Sequence, residues 1–456
     1  MSRDIRAAER ASGASAVDRR GFVKAAAAGA GAVLYGPSAS AAAAHERTGR
    51  PHPTHKAPWV RTRQTPDIAV VGAGAFGAWT ALNLQQSGAR VALIDQYGPG
   101  NSRATSGGET RGVRTGYGGH PHELLWTRWA SRAIEMWREW DERGQEILLP
   151  RVFFTTSDLI MRDEWTEFME DTRRNWDELG IRHEVIDADE IHRRWPVIDV
   201  TDIAVALWEQ DAGVVRARRA IESVAQVFEH EGGQVRIGHA AMGNSTNRRL
   251  NALTLQPGGA LSAGTYVFAL GPWFPKAFPE VMGERVRIPI GHVVYFRTPP
   301  GDNRYSYPNL PSYNFPGVTG WPALGADNRG FRVRRGGRGR GGEGDDDPDT
   351  SRRWLQPEEL ERPREFVAER FPGLAEAPIS ETRACHYEIS TTRNFFFDHH
   401  PDFDNVWFAG GGSAEGFKFG PVIGEYMAGR VLGTETDPEL IEAFGLGEEP
   451  EEGEIE

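Results

Sequence analysis

Residues 67–96, DIAVVGAGAFGAWTALNLQQSGARVALIDQ, constrain this chain more than any other stretch. Residues 68–71 (IAVV) are apolar and mostly β-branched, which predicts a buried parallel strand. Gly72-Ala73-Gly74-Ala75-Phe76-Gly77 then satisfies the GxGxxG pattern, and Ala78, Ala81, Leu82 and Leu84 continue it at helical spacing. Ser87-Gly88 ends that helix, because glycine takes the left-handed cap without penalty. A second strand over residues 91–94 finishes on Asp95, 23 residues beyond Gly72. Glycines allow a tight turn and close backbone approach, the helix N-terminus faces a pyrophosphate, and the carboxylate reaches ribose hydroxyls. A glycine-rich turn in an ordinary α/β unit would share only the first of these features. Strand, turn, helix, strand and acid in register point to a bound dinucleotide.

At 456 residues the chain accommodates two domains, or one large nucleotide domain with insertions. The formal charge of −12 argues against a nucleic-acid partner, which demands a basic face. Cys385 is the single cysteine, so no intramolecular disulfide is possible.

The N-terminus reads as an address. Residues 18–24 (DRRGFVK) resemble a twin-arginine export motif, followed by an alanine-rich apolar run over 25–35 and small-residue cleavage candidates at 39–41 or 42–44. The apolar run is 11 residues long, too short to span a bilayer, so no stable membrane anchor is expected. The alternative is a basic tail with an incidental Arg-Arg pair. Export by the twin-arginine machinery, to a periplasmic or extracellular destination, bears on the cofactor. A diffusible nicotinamide is not replenished outside the cytoplasm, whereas a tightly held flavin travels with its protein, so FAD is favoured over NAD.

After a linker over residues 45–64, the nucleotide unit leads into a long glycine- and hydroxyl-rich loop at 98–119, whose position after the ribose-binding acid favours function. Residues 121–143 predict a helix ended by Gly144, with Trp126, Trp129, Ala130, Ala133, Trp137 and Trp140 on one face as core. Strands are expected over 148–158, 182–186, 264–270, 288–297 and within 319–334, and helices over 165–179 and within 211–230. Residues 336–350 (GGRGRGGEGDDDPDT) read as a solvated, flexible loop, and 447–456 as an acidic disordered tail. Residues 405–409 (NVWFA), a glycine-rich loop and a helix starting near Pro421 repeat the strand–loop–helix logic of the start, so the chain is expected to return to the same cofactor site.

Three stretches then carry a family resemblance: residues 70–114 with their GGETRGVR loop, 383–401 (RACHYEISTTRNFFFDHHP) and 405–425 (NVWFAGGGSAEGFKFGPVIGE). The chain resembles the D-amino-acid-oxidase-type flavoproteins, and within them the monomeric sarcosine and N-methyltryptophan oxidases. The resemblance implies an α/β fold with a Rossmann-like FAD-binding domain, discontinuous in sequence, and a second, mixed-sheet substrate domain. With the signal at residues 1–44, the FAD-binding parts fall at 65–147, 210–280 and 381–446, and the substrate parts at 148–209 and 281–380.

The same resemblance implies site roles. Gly72, Gly74, Ala75, Phe76, Gly77, Asp95 and Gln96 would hold the ADP half. Thr105, Ser106, Thr110 and Arg111 would run along the pyrophosphate and flavin, with Gly411, Gly416 and Phe417 supplied by the C-terminal loop. Cys385 falls where such enzymes link FAD through a thioether. Arg114 and Lys418 match two cations that hold a substrate carboxylate, Lys418 also touching the flavin, and Tyr387 matches a pocket tyrosine. A planar guanidinium fork suits a carboxylate, and a lysine between Phe417 and Phe419 is a partly desolvated cation. Two departures stand out. Arg332 occupies the place of an oxygen-activating lysine, and Gly336 that of a substrate-site histidine. The expected activity is oxidation of an amino-acid C–N bond, on a secondary or N-methylated substrate, with electrons passed to oxygen. A dehydrogenase using another electron carrier and a non-catalytic flavin-binding or redox-sensing protein are the alternatives.

Overall fold

The computed structural model describes residues 65–325, 330–335 and 347–447; the twin-arginine stretch, the linker, residues 336–346 and the acidic tail lie outside the described residues. At its centre is the strand Ile68–Val71, buried along its whole length. Its alternation divides it between two cores: Ile68 and Val70 enter one apolar cluster, Ala69 and Val71 another. That division is what a strand covered on both faces requires. It pairs in parallel with Val91–Asp95 and Thr265–Phe268. Gln234–Ile237 and Val406–Gly410 extend the sheet in parallel on either side, and Phe396–His399 closes one edge antiparallel. N- and C-terminal segments therefore lie in one sheet, as the repeated strand–loop–helix logic suggests.

One face of this sheet carries the helices Ala75–Gln86, Glu123–Glu146, Ala217–His230 and Gly420–Leu432, whose apolar residues share the cluster of Ile68 and Val70. Trp126, Ala130, Ala133, Trp137 and Trp140 are buried as core, with Trp79 edge-on to Trp137 and Trp140, while Trp129 packs half-buried on Tyr426 and Phe444. Gly144 does not end its helix, which runs on to Glu146; the chain breaks at Leu148, a non-glycine residue with φ of 60°. The opposite face is covered by the small sheet His239–Met242, Leu253–Gln256 and Ala260–Leu261.

A second sheet of eight strands has the order Ile379–His386, Ile290–Phe296, Phe331–Arg335, Val318–Trp321, Ser312–Phe315, Asp158–Arg162, Val205–Glu209, His183–Asp187. Only Ser312–Phe315 and Asp158–Arg162 pair in parallel, so the sheet is mixed. The period of two decides what each strand offers. Phe331 and Val333 enter an apolar cluster with Phe371 and Val367, which leaves Arg332 and Arg334 on the other face. Ala384 likewise enters that cluster, and Cys385 turns away from it.

Two boundaries differ from the sequence reading. The run at 148–158 is not one strand: Phe153–Phe154 joins a small sheet with Arg111–Val113 and Gly213–Val215, and Asp158–Arg162 joins the eight-stranded sheet. Ser157, with φ of 61°, turns the chain between them. The strand Ile379–His386 crosses residue 381 and lies wholly in the second sheet, so Cys385 is carried by the second sheet rather than the first.

Candidate active site

The turn after Ile68–Val71 is glycine for steric reasons. Gly72 has φ of 102°, and a Cβ there would lie 2.2 Å from the Ala269 carbonyl oxygen. Gly77 sits on the first helical turn, where a Cβ would lie 1.8 Å from the Gly72 carbonyl oxygen. The helix Ala75–Gln86 thus starts against the strand end, its free amides aimed outward. Ser106 Oγ accepts from the Ala75 amide at 3.0 Å. Asp95 accepts from the amides of Ala73, Tyr97 and Gly98, each at 2.8 Å; Tyr97 and Gly98 share Oδ1 with Asn101 Nδ2, while Oδ2, bonded to Ala73, keeps a lone pair for a hydroxyl. Burial raises its pKa, and those amides oppose the rise.

These residues open on a cavity of about 740 Å³ that runs from Asp95, Gln96 and Tyr97 past Gly72, Gly74, Ala75 and Phe76. It continues to Thr105, Ser106, Arg111, Tyr387, Gly416 and Phe417. A dinucleotide suits an elongated site with a glycine turn at its middle and a carboxylate at one end. Near that end Asp349 accepts from Tyr97 Oη (2.6 Å) and Trp273 Nε1 (2.8 Å) and pairs with Lys276 at 2.6 Å. The acidic end of the 336–350 stretch is therefore not a free solvated loop, since Asp347 and Asp349 are both held by Lys276.

A second cavity of about 60 Å³ adjoins the first, sharing Thr105, Arg111, Tyr387, Ala414 and Phe417 with it. Among the described residues five cationic side chains line it, Arg111, Arg114, Arg332, Arg334 and Lys418, against one carboxylate, Glu415. Lys418 is 2% exposed, donates to Tyr117 Oη at 2.7 Å and pairs with Glu415. Arg114 Nη2 lies 3.4 Å from Glu415 Oε1. Burial alone would raise the Glu415 carboxyl, but Lys418 and Arg114 bring it down to about 2. Burial, with Arg114 adding to it, brings Lys418 down to about 8 despite Glu415. The Glu415 shift follows from its two cations, and the Lys418 shift first from burial.

Behind Arg114 lie two buried acids opposite each other on paired strands, Asp158 and Glu209. Burial raises Asp158 to about 6 and Glu209 to about 8, and Glu209 accepts from the Thr115 amide (3.0 Å) and hydroxyl (2.8 Å). Arg332 is 1% exposed, stacks 3.8 Å from the Trp321 ring centroid, and its Nε and Nη1 have no hydrogen-bond partner among the described residues. Burial brings it down to about 9, with Tyr295 opposing. Cys385 Sγ lies 3.6 Å from Arg111 Nη2; burial opposes ionisation, but Arg111 and Arg383 outweigh it and lower the thiol.

The two cavities bring together most residues singled out from the sequence. Arg114, Arg332, Cys385 and Lys418 line the smaller, and Tyr387 lies at the junction. Gly77, Thr110 and Gly411 line neither. Gly77 packs helix on strand, Thr110 bonds with Tyr295 (3.1 Å) and accepts from Trp321 Nε1 (2.7 Å), and Gly411 turns with φ of 77° against Asn394. The sequence reading missed Glu415, Arg334 and Glu388. Glu415 was visible as the acid three residues before Lys418, and Arg334 as the same-face neighbour of Arg332 on a strand. Glu388 gave no signal; it accepts from the Gly412 amide at 3.0 Å, its other oxygen has no partner among the described residues, and burial raises it to about 7.

The FAD dependent oxidoreductase family profile matches residues 67–430. The monomeric sarcosine oxidase of Bacillus sp. (strain B-0618) is 26% identical over 398 residues, covering 82% of this chain and 94% of that protein. The N-methyl-L-tryptophan oxidase of Salmonella dublin is 26% identical over 386 residues, covering 80% and 95%. Among solved structures, iminodiacetate oxidase from Chelativorans sp. BNC1 superposes with a TM-score of 0.69 at 19% identity, covering 83% of this chain and 98% of that one. Profile, relatives and fold converge with the glycine turn, the carboxylate at one end and the elongated cavity: the chain belongs to the FAD-dependent oxidoreductase family.

Proposed function

We propose that the protein is an exported FAD-dependent oxidase of a small amino acid, secondary or N-methylated, that converts its C–N bond to an imine. The observation that carries the reading is the cation-lined cavity abutting the long one, with Arg114 and Lys418 converging on a single point now taken by Glu415. A buried lysine and a half-buried arginine on one wall suit a carboxylate, because charge-assisted bonds strengthen where water is excluded. Docking the carboxylate there holds the substrate in one orientation, with its amine and adjacent C–H toward the shared wall at Tyr387 and Phe417. FAD, when bound, supplies the two-electron acceptor chemistry. The substrate loses a C–H bond with its electron pair and an N–H proton; water hydrolyses the imine, and oxygen takes the electrons as hydrogen peroxide. The sarcosine and N-methyltryptophan oxidase names support an N-methyl substrate. The basic, apolar and small-residue order of the N-terminus supports export by the twin-arginine route.

Anaerobic mixing with a panel of N-methyl amino acids tests the activity. Flavin absorbance should bleach with amino acids and not with the matching decarboxylated amines, then return rapidly on admitting air. Bleaching by no amine overturns the reading. Slow return in air favours the second reading, a dehydrogenase, which Arg332 supports: its stacked guanidinium stands where the resemblance calls for a lysine, and the two are not interchangeable.

The flavin is further proposed to be covalent through Cys385, whose lowered thiol lines the smaller cavity beside Arg111. Yellow colour should stay with the chain through denaturation, and Cys385→Ala should release it. Retention of the colour by the denatured variant removes the assignment.

A further inference from the structure

We propose that Glu415 is an internal competitor for the substrate's carboxylate, bridging Arg114 and Lys418 until an incoming anion displaces it. The inference rests on the reading that an anionic substrate docks on those two cations. Arg114 and Lys418 reach Glu415 from elements far apart in sequence, with Glu415 Oε1 turned to the arginine and Oε2 to the lysine. One carboxylate thus satisfies both cations in the way a substrate carboxylate would.

Three observations make the contact exchangeable rather than permanent. First, each cation has a separate support behind it. Lys418 donates to Tyr117 at 2.7 Å, and Arg114 lies in the field of Asp158, which burial raises only to about 6. Neither collapses when Glu415 leaves. Second, Glu415 stands on the cavity side. Its side chain keeps 25% of its exposure, against 3% for Lys418, so it has room to turn away. Third, the cavity holds five cations and one carboxylate, so a second anion enters a field that remains positive. Exchange of one carboxylate for another keeps an anion on the two cations, which avoids the cost of an orphaned buried charge. An amine without a carboxylate meets Glu415 still in the pocket.

The test uses flavin-loaded wild type and Glu415→Gln, titrated with acetate as a carboxylate that is not oxidised, and read by perturbation of the flavin spectrum. The variant should bind acetate about 10-fold or more tightly, because the competing charge is gone and the side-chain volume is kept. Acetamide, the uncharged analogue, should show no such gain. Equal or weaker acetate binding by Glu415→Gln overturns the proposal while leaving carboxylate docking intact. Absence of saturable acetate binding in both proteins, with amines still bleaching the flavin, overturns the docking reading and the proposal with it. Glu415→Ala provides the same comparison should the glutamine variant load flavin poorly, and an affinity no tighter than wild type counts equally against the proposal.

Discussion

Gly77→Ala is expected to yield a protein that purifies without colour, its affinity for FAD lowered about 100-fold or more. The added Cβ would lie 1.8 Å from the Gly72 carbonyl oxygen, 3.0 Å from the carbon of the same carbonyl and 3.2 Å from Ala269 Cβ. Two of these are backbone atoms, and Gly72 has no room to withdraw, since its own α-carbon faces the Ala269 carbonyl. The first turn of Ala75–Gln86 must therefore lift off the strand. That movement withdraws the helix amides from the phosphates, and overpacking of this kind typically costs 1–3 kcal/mol in stability by itself. Gly88→Ala is the matched control. Gly88 has φ of 96° but nothing within 4 Å of a Cβ, so alanine there strains the backbone without a clash. That variant should lose about 1 kcal/mol of stability and keep its flavin. Colour and flavin content after purification, with thermal melting of each variant, read the difference. A yellow Gly77→Ala protein would remove the steric account of the turn.

How far the molecule was legible in its sequence depended on whether the signal was local. The glycine turn and Asp95 were legible because every constraint acts within one strand–helix–strand unit. The return of residues 406–432 to the same sheet was legible because it repeats that unit's order. The second sheet was less so. Its strands come from segments at 158–209, 290–335 and 379–386, and no local pattern states that Asp158–Arg162 pairs in parallel with Ser312–Phe315. The break at Ser157 was hidden because a non-glycine residue at positive φ is held there by tertiary context. In the site, Arg114, Cys385 and Lys418 stood out through the resemblance, but their electrostatic setting did not. That setting depends on Glu415 facing both cations, and on Asp158 and Glu209 being placed opposite each other across a strand pair. Charge balance in a buried site is a property of the fold, so residue identities alone show the cations without the carboxylate that holds them.

That balance sets the second large effect, which concerns Lys418. Methionine at this position matches the length of the lysine stem and gives up the ammonium, which lies 5.1 Å from the Tyr117 ring centroid and 5.4 Å from that of Phe419, so Lys418→Met should fold and bind FAD; Lys418 does not line the larger cavity. Its kcat/KM for an N-methyl amino acid should nevertheless fall about 1,000-fold, within the 2–5 kcal/mol that truncating one member of a buried charge pair costs. The loss has two sources. The substrate carboxylate keeps only Arg114, and the half-buried Glu415, deprived of its closer partner, competes harder for that same arginine. The pH profile separates this role from mere packing. With Lys418 brought down to about 8 in the free protein, its charge is present below that pH and lost above it. Wild-type kcat/KM, which reports groups of the free enzyme, should therefore decline as pH rises through about 8. The methionine variant lacks the lysine proton and should lose that limb apart from what Glu209, itself raised to about 8, contributes. A variant profile that keeps the decline, or a loss of less than about tenfold in kcat/KM with flavin content unchanged, would place the carboxylate's anchor on another of the five cations, with Arg334 and Arg332 the next to replace.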